Sequence, residues 1–121
     1  MKKILVVDDC QVVLSMMDEM LTGLNYEVTT ATDGLDACEK VEADNYNMII
    51  VDLNMPRLNG VEFTKRAKQM SNCKFVPIVM LSAEEDEDKI AEAKQVGIST
   101  FLRKPVNESQ LGTILNVVLG A

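Results

Sequence analysis

The chain has 121 residues, of which 47% are hydrophobic and 26% are charged, and its formal net charge is −7 at pH 7. This length fits one domain with its own core, assigned here to residues 1–121. The negative charge argues against nucleic acid as a partner, and no apolar run approaches the ~20 residues of a membrane helix. The apolar start is too short for a signal peptide, so we expect a cytoplasmic protein.

Cysteine and histidine usage excludes several kinds of chemistry. The three cysteines, Cys10, Cys38 and Cys73, form no CxxC pair, so neither a disulfide framework nor a zinc site is indicated. Histidine is absent, which removes Ser-His-Asp and Cys-His catalysis and all histidine metal sites. A bound metal would need oxygen ligands, which favours Mg²⁺, Mn²⁺ or Ca²⁺.

The first half of the chain predicts three strands separated by two helices. The strands are short apolar or β-branched runs at residues 4–7, 27–31 and 48–52. The helices, from about residue 11 to 24 and from 34 to 41, have apolar side chains at helical spacing. Asp9 is a candidate cap for the first helix, and Asp33-Gly34 marks the turn into the second.

The second half adds two strands and three helices. Asn59 and Glu62 predict a capping box at the start of a helix over residues 60–70. The remaining elements are a strand at 76–82, a helix at 84–96, a strand at 100–103 and a helix at 108–119. Asn107 caps this last helix, and Gly120 ends it. Five strand-helix units in a row predict a parallel sheet with helices on both faces.

Four of the five predicted strands end in residues that suit one shared site. Asp8 and Asp9 follow the first strand, Asp52 ends the third, Ser82 the fourth, and Lys104 follows the fifth. If the first and third strands are neighbours, their carboxylates crowd together and attract a hard cation such as Mg²⁺. An ammonium and a hydroxyl beside these acids suit a phosphoryl group, which Asp52 could accept as an acyl phosphate.

Each of these residues also has an ordinary structural role. A single Asp or Ser at a strand end is most often a turn residue or a helix cap, and a Lys before Pro is usually just exposed. Phe101 is explained equally well as a core aromatic of the last strand. The coincidence of suitable residues at one sheet edge is what favours a shared site.

The chain resembles the receiver domain of two-component response regulators, in the CheY-like chemotaxis form. The motifs behind this resemblance are Val6-Val7-Asp8-Asp9, Val51-Asp52-Leu53-Asn54-Met55-Pro56 with Asn59-Gly60, Val79-Met80-Leu81-Ser82-Ala83, and Lys104-Pro105. The resemblance implies a flavodoxin-like α/β fold, with a doubly wound five-stranded parallel sheet in the order 2-1-3-4-5 and five helices. That order makes the first and third strands neighbours.

The resemblance also implies roles for the residues at the sheet edge. Asp52 would be the phosphoacceptor, charged by the phosphohistidine of a histidine kinase. Asp8, Asp9, Asp52 and the backbone carbonyl of Asn54 would bind Mg²⁺, with Mn²⁺ as a second candidate. Lys104 would pair with the phosphoryl group.

Further roles implied by the resemblance concern signal readout and lifetime. Ser82 would be the switch hydroxyl, coupled to Phe101, which lacks a tyrosine hydroxyl and must act by packing. Asn54 and Glu84 occupy positions that tune dephosphorylation. Pro105 is expected to follow a cis peptide bond.

These expectations describe a stand-alone response regulator that catalyses only its own phosphorylation and dephosphorylation. Its protein target would bind the fourth helix, fifth strand and fifth helix, around Lys94, Phe101 and Arg103. A monomer is expected, with a phosphorylation-dependent dimer as an alternative. Three other interpretations stay open: the excised receiver of a longer regulator, a phosphohydrolase of the haloacid-dehalogenase type, and a flavodoxin-like flavin carrier. Asn54 stands where the hydrolase usually has a second Asp.

Overall fold

The computed structural model describes residues 1–83 and 87–120, in which strands and helices alternate. The strands are β1 (Lys3–Val7), β2 (Glu27–Ala31), β3 (Met48–Asp52), β4 (Ile78–Ser82) and β5 (Thr100–Arg103). The helices in the described residues are α1 (Gln11–Gly23), α2 (Gly34–Ala43), α3 (Gly60–Lys68), α4 (Glu87–Gln95) and α5 (Glu108–Leu119). No helix in these two ranges is long and apolar enough to cross a membrane.

The strands form one parallel sheet in the order β2-β1-β3-β4-β5, which confirms the predicted topology. Every residue of the central strands β3 and β4 is buried, as expected of strands covered on both faces. The register pairs Val7 with Val51 and Asp52 with Leu81, so the carboxyl ends of β1, β3 and β4 lie at the same level. The order of strands reverses between β1 and β3, where doubly wound folds bind ligands.

Two apolar clusters hold the helices against the sheet. One cluster joins one face of the sheet to α2, α3 and α4 and includes Phe63, the largest of the fully buried side chains. The other joins the opposite face to α1 and α5 through Met17, Leu21 and Leu111. Burying a side chain of this size stabilises the fold by about 1.5–3 kcal/mol, so the two clusters fix the framework behind the sheet edge.

Several predicted helix ends are confirmed. Asn59 and Glu62 form the capping box of α3, and the Asn107 side chain caps α5. Gly120 ends α5 in the left-handed conformation that glycine adopts without strain.

The predicted cap of α1 is wrong. The N-cap residue is Cys10 rather than Asp9, and its side chain makes no capping hydrogen bond. Strand β4 also begins at Ile78, two residues later than predicted. Pro77 precedes it and accepts a hydrogen bond from Ile49, but it has no N–H to donate to a sheet.

Candidate functional site

The acids predicted to share a site lie together at the carboxyl edge of the sheet. Asp8 and Asp52 are almost fully buried, with 0% and 6% exposure, whereas Asp9 is exposed. One carboxylate oxygen from each of these three residues lies within 4.8 Å of the others. The backbone N–H of Asp8 donates to the Ala31 carbonyl at 3.1 Å, which extends the β1–β2 ladder up to the site.

Lys104 connects the acids of β1 and β3. Its Nζ lies 3.0 Å from Asp8 Oδ2 and 3.3 Å from Asp52 Oδ1, and the side chain is 24% exposed. The backbone N–H of Lys104 donates to the Ser82 carbonyl at 3.1 Å, so the end of β4 helps to position the lysine. Residues from four strand ends therefore meet around Asp52.

Burial and crowding change the ionisation of the central groups. Burial and the neighbouring Asp8 charge raise the pKa of Asp52 to about 6, although Lys104 opposes this rise. Burial acts to lower the pKa of Lys104, but the carboxylates of Asp8 and Asp52 outweigh it and raise that pKa overall. At neutral pH the site therefore holds a costly buried carboxylate beside a firmly protonated ammonium.

The donor atoms fit a hard divalent cation. Asp8 Oδ1 accepts the backbone N–H of Cys10 at 3.0 Å. Asp8 Oδ2 is buried beside Lys104, yet within residues 1–83 and 87–120 it accepts no well-aligned hydrogen bond. A buried carboxylate oxygen without such a hydrogen bond calls for another partner. Asp9 and Asp52 lie next to it, and the three carboxylates provide the oxygen ligands through which Mg²⁺ binds to proteins.

The other predicted residues lie around this cluster. Ser82 is buried at the end of β4, and Asn54 is exposed two residues after Asp52. Phe101 is half-buried and packs against the cluster that contains Phe63. The peptide bond between Lys104 and Pro105 is cis.

A small pocket is shared by the buried Ser82 and the half-buried Phe101. It has a volume of about 140 Å³ and is lined by Ser82, Ile90, Phe101 and Arg103. Ser82 and Phe101 therefore line a common space in which either side chain could move. Glu84, the second residue expected to tune dephosphorylation, lies outside the described residues.

Arg57, which was not predicted from the sequence, fastens the loop after Asp52. Arg57 Nε donates to Asp33 Oδ2 at 2.8 Å, from the loop between β3 and α3 to the cap of α2. The pair spans 24 positions of the chain, and Arg57 has a positive φ of 67°. No local pattern around Arg57 indicates either feature, so only the folded topology brings this pair to light.

The comparisons with known proteins agree with this geometry. The family of response regulator receiver domains matches residues 4–116. The chain is 34% identical to the chemotaxis protein CheY1 of Helicobacter pylori over 120 residues, covering 98% of this chain and 97% of that protein.

Two solved structures are similar over almost their whole length. Chemotaxis protein CheY4 of Vibrio cholerae has a TM-score of 0.93 and 40% identity, with 98% of both chains covered. The receiver domain of the sensor histidine kinase PA1611 of Pseudomonas aeruginosa has a TM-score of 0.92 and 31% identity, covering 99% of this chain and 98% of that one. It was solved with a magnesium ion coordinated in its active-site cleft. The family match covers nearly the whole chain and agrees with the sheet order and with the cluster of acids at its edge. The chain therefore belongs to the family of response regulator receiver domains.

Proposed function

We propose that this protein is a response regulator that accepts a phosphoryl group on Asp52 from the phosphohistidine of a histidine kinase. One observation carries the proposal: the buried Asp52 carboxylate lies beside Asp8 and Asp9 and 3.3 Å from the Lys104 ammonium. An oxygen of Asp52 attacks phosphorus, the phosphorus–nitrogen bond of the donor breaks, and an acyl phosphate forms. The imidazole leaves with the bond's electron pair and takes up a proton.

The neighbouring side chains compensate the charge of the incoming group. Lys104 is held between two carboxylates, so its ammonium stays protonated and can bind an oxygen of the phosphoryl group. Asp8, Asp9, Asp52 and the backbone carbonyl of Asn54 would hold Mg²⁺ or Mn²⁺. The bound cation would neutralise phosphoryl oxygens during transfer.

The cavity between Ser82 and Phe101 supports a switch that is read by a protein target. A phosphoryl group on Asp52 would draw the Ser82 hydroxyl towards it, and Phe101 could then fill the vacated space. Phe101 and the exposed Arg103 lie on β5, and the exposed Lys94 lies on α4. The proposed target surface is therefore α4, β5 and α5.

The protein is proposed to catalyse only its own phosphorylation and dephosphorylation, with Asn54 and Glu84 setting the lifetime of the acyl phosphate. We further propose a cytoplasmic monomer that can dimerise when phosphorylated. Its three free cysteines suit a reducing compartment. A stand-alone regulator and the receiver of a longer protein both fit this proposal, since the similar PA1611 domain belongs to a sensor histidine kinase.

The test is phosphorylation by acetyl phosphate with Mg²⁺, followed by intact-mass spectrometry. The wild type is expected to gain the mass of one phosphoryl group, and Asp52→Asn is expected to gain none. Asp18→Asn, which changes an exposed carboxylate on α1, is the matched control and should react like the wild type. An unmodified wild type, or an Asp52→Asn variant that still gains the mass, would refute the proposal.

A further inference from the structure

An ion pair between the exposed Arg57 and the buried Asp33 fastens the loop between β3 and α3 to the start of α2. Asp33 is 7% exposed, and its Oδ2 accepts the Arg57 Nε–H at 2.8 Å, with a second guanidinium nitrogen also in contact. The other oxygen of Asp33 accepts the backbone N–H of Asp36 at 2.9 Å and so caps α2. The hydrogen bond to Asp36 lowers the pKa of Asp33, and Arg57 adds to that effect. One carboxylate thus binds a loop and a helix at once.

Arg57 has a backbone conformation that residues with side chains rarely adopt. Its φ is 67°, and the N–H of Leu58 donates to the carbonyl of Pro56 at 2.7 Å. This closes a γ-turn around Arg57, and a γ-turn with a positive central φ is rare and strained. Strain of this kind persists only where the surroundings hold it in place.

The surroundings that hold this turn belong to α2. Leu58 is buried, and its carbonyl oxygen lies so close to Gly34 that a Cβ on that residue would collide with it. The close approach of Leu58 to Gly34 and the pair of Arg57 and Asp33 together pack the end of the loop against the first turn of α2.

The same loop carries the carbonyl that is proposed to bind the metal. The loop starts at Leu53, directly after Asp52, and Asn54 is its second residue. The N–H of Gly60 donates to the Leu53 carbonyl at 3.0 Å, which closes the loop on itself. A short segment tied at both ends cannot shift at Arg57 without changing its path past Asn54.

We propose that Arg57 and Asp33 are positioning residues for the cation site. Their ion pair holds the loop in the position from which the Asn54 carbonyl would bind Mg²⁺, and neither side chain is among the proposed ligands. The inference rests on the proposed function, because it needs a cation beside Asp8, Asp9 and Asp52. Groups outside the coordination sphere commonly tune metal affinity in this way.

The test uses two variants that break the pair without breaking the fold. Arg57→Gly removes the guanidinium and relaxes the turn, since glycine adopts a positive φ without strain. Asp33→Asn discharges the pair, and asparagine remains a good helix cap. Binding of Mn²⁺ is measured from the loss of the free-ion signal in electron paramagnetic resonance, and unfolding in urea is measured in parallel.

Both variants are expected to bind Mn²⁺ about tenfold more weakly than the wild type. Arg57→Gly should unfold at the same or a higher urea concentration, which a merely structural role of Arg57 would not produce. Its weaker binding would also run against simple electrostatics. Losing one positive charge takes the net charge from −7 to −8, which attracts a cation more strongly.

Lys65→Ala is the matched control, because it removes one positive charge from an exposed position on α3. It should bind Mn²⁺ as tightly as the wild type or slightly more tightly. If Arg57→Gly and Asp33→Asn bind like Lys65→Ala while the wild type binds Mn²⁺ and is phosphorylated, the inference is overturned and the proposed function stands. A wild type that binds no Mn²⁺ overturns both.

Discussion

The two junctions that supply the acids of the site, β1–α1 and β3–α3, are built in opposite ways. At β3–α3 the Asn59 side chain accepts the Glu62 N–H at 2.9 Å, and the Glu62 side chain accepts the backbone N–H of Asn59 at 3.2 Å. At β1–α1 the N-cap is Cys10, which makes no side-chain cap, and the first turn of α1 contains no acidic residue. One helix start is fully capped and the other is not.

The difference follows from how far each acid lies from its helix. A loop separates Asp52 from α3, so Asn59 caps the helix and Asp52 stays available at the sheet edge. Cys10 alone separates Asp9 from α1, and Asp8 precedes Asp9 directly. The Asp8 carboxylate accepts the N–H of Cys10 and faces Lys104. Because the acids of the site lie directly before α1, this helix begins without a side-chain cap and lacks the stability that a cap would add. Such local conflicts are typical of functional sites.

The largest predicted effect breaks the well-built junction. Gly60→Ala would place a Cβ against the Asp52 carbonyl, a backbone group that cannot move aside without displacing β3. We expect a loss of about 3 kcal/mol in the free energy of unfolding, at the upper end of overpacking costs. Urea denaturation followed by circular dichroism measures this loss.

Gly112→Ala is the control for that experiment. Nothing in the described chain lies within 4 Å of a Cβ added at Gly112, which sits inside α5. This variant should be more stable by up to about 1 kcal/mol, because alanine favours helix. Equal effects of the two substitutions would contradict the close approach at Gly60.

The second prediction concerns the charge of Asp52. Its pKa is raised to about 6 in the folded protein, above the ordinary value of 3.8. The folded state therefore binds the extra proton between about pH 4 and 6, and stability falls as pH rises through that window. At pH 7, with a chelator present, Asp52→Asn should raise the free energy of unfolding by about 1–2 kcal/mol.

This advantage should fade near pH 4, where Asp52 of the folded wild type is protonated and therefore neutral like the asparagine of the variant. It should also shrink in Mg²⁺, because only the wild type gains fully from cation binding. Glu19→Gln, an exposed change on α1, controls for the loss of one negative charge and should stay within about 0.5 kcal/mol of the wild type. An Asp52→Asn variant that is no more stable at pH 7 would show that burial of this carboxylate costs little.

The third prediction removes the cap that distinguishes the two junctions. Asn59→Ala should lower the free energy of unfolding by about 1 kcal/mol, because the Glu62 N–H loses its acceptor. Thermal unfolding of Asn59→Ala and of Asn116→Ala, an exposed change on α5, provides the comparison. Asn116→Ala should be neutral or slightly stabilising, and a similar loss in both would argue against the capping box.

Local patterns predict those parts of the molecule that depend on few neighbours. The capping box of Asn59 and Glu62 needs only four consecutive residues, and the structure has it as predicted. The meeting of Asp8 with Asp52 also needs the strand order, which periodicity alone does not provide. The resemblance to receiver domains supplied that order, and the sheet confirms it.

The failures involve one-residue shifts and distant partners. Asp9 is a candidate cap of α1 from the sequence, but the helix begins one residue too late for that side chain to cap it. The pair of Arg57 and Asp33 joins a strained turn to a helix start 24 positions away, so no sequence window contains it.

The smallest predicted effect repairs the poorly built junction. Cys10→Ser places a hydroxyl at the N-cap of α1, where the backbone is already extended with φ of −93° and ψ of 113°. The new side chain can accept a backbone N–H of the first turn, so we expect a gain of about 0.5–1 kcal/mol in unfolding free energy.

Cys73→Ser is the same substitution at a residue only 3% exposed, and it should destabilise the protein because the hydroxyl is buried. If urea denaturation shows a gain in unfolding free energy for Cys10→Ser and a loss for Cys73→Ser, then α1 lacks a cap and its backbone geometry allows one. A loss in Cys10→Ser would instead mean that the bare start of α1 is already satisfied by its surroundings, and the contrast between the two junctions would disappear.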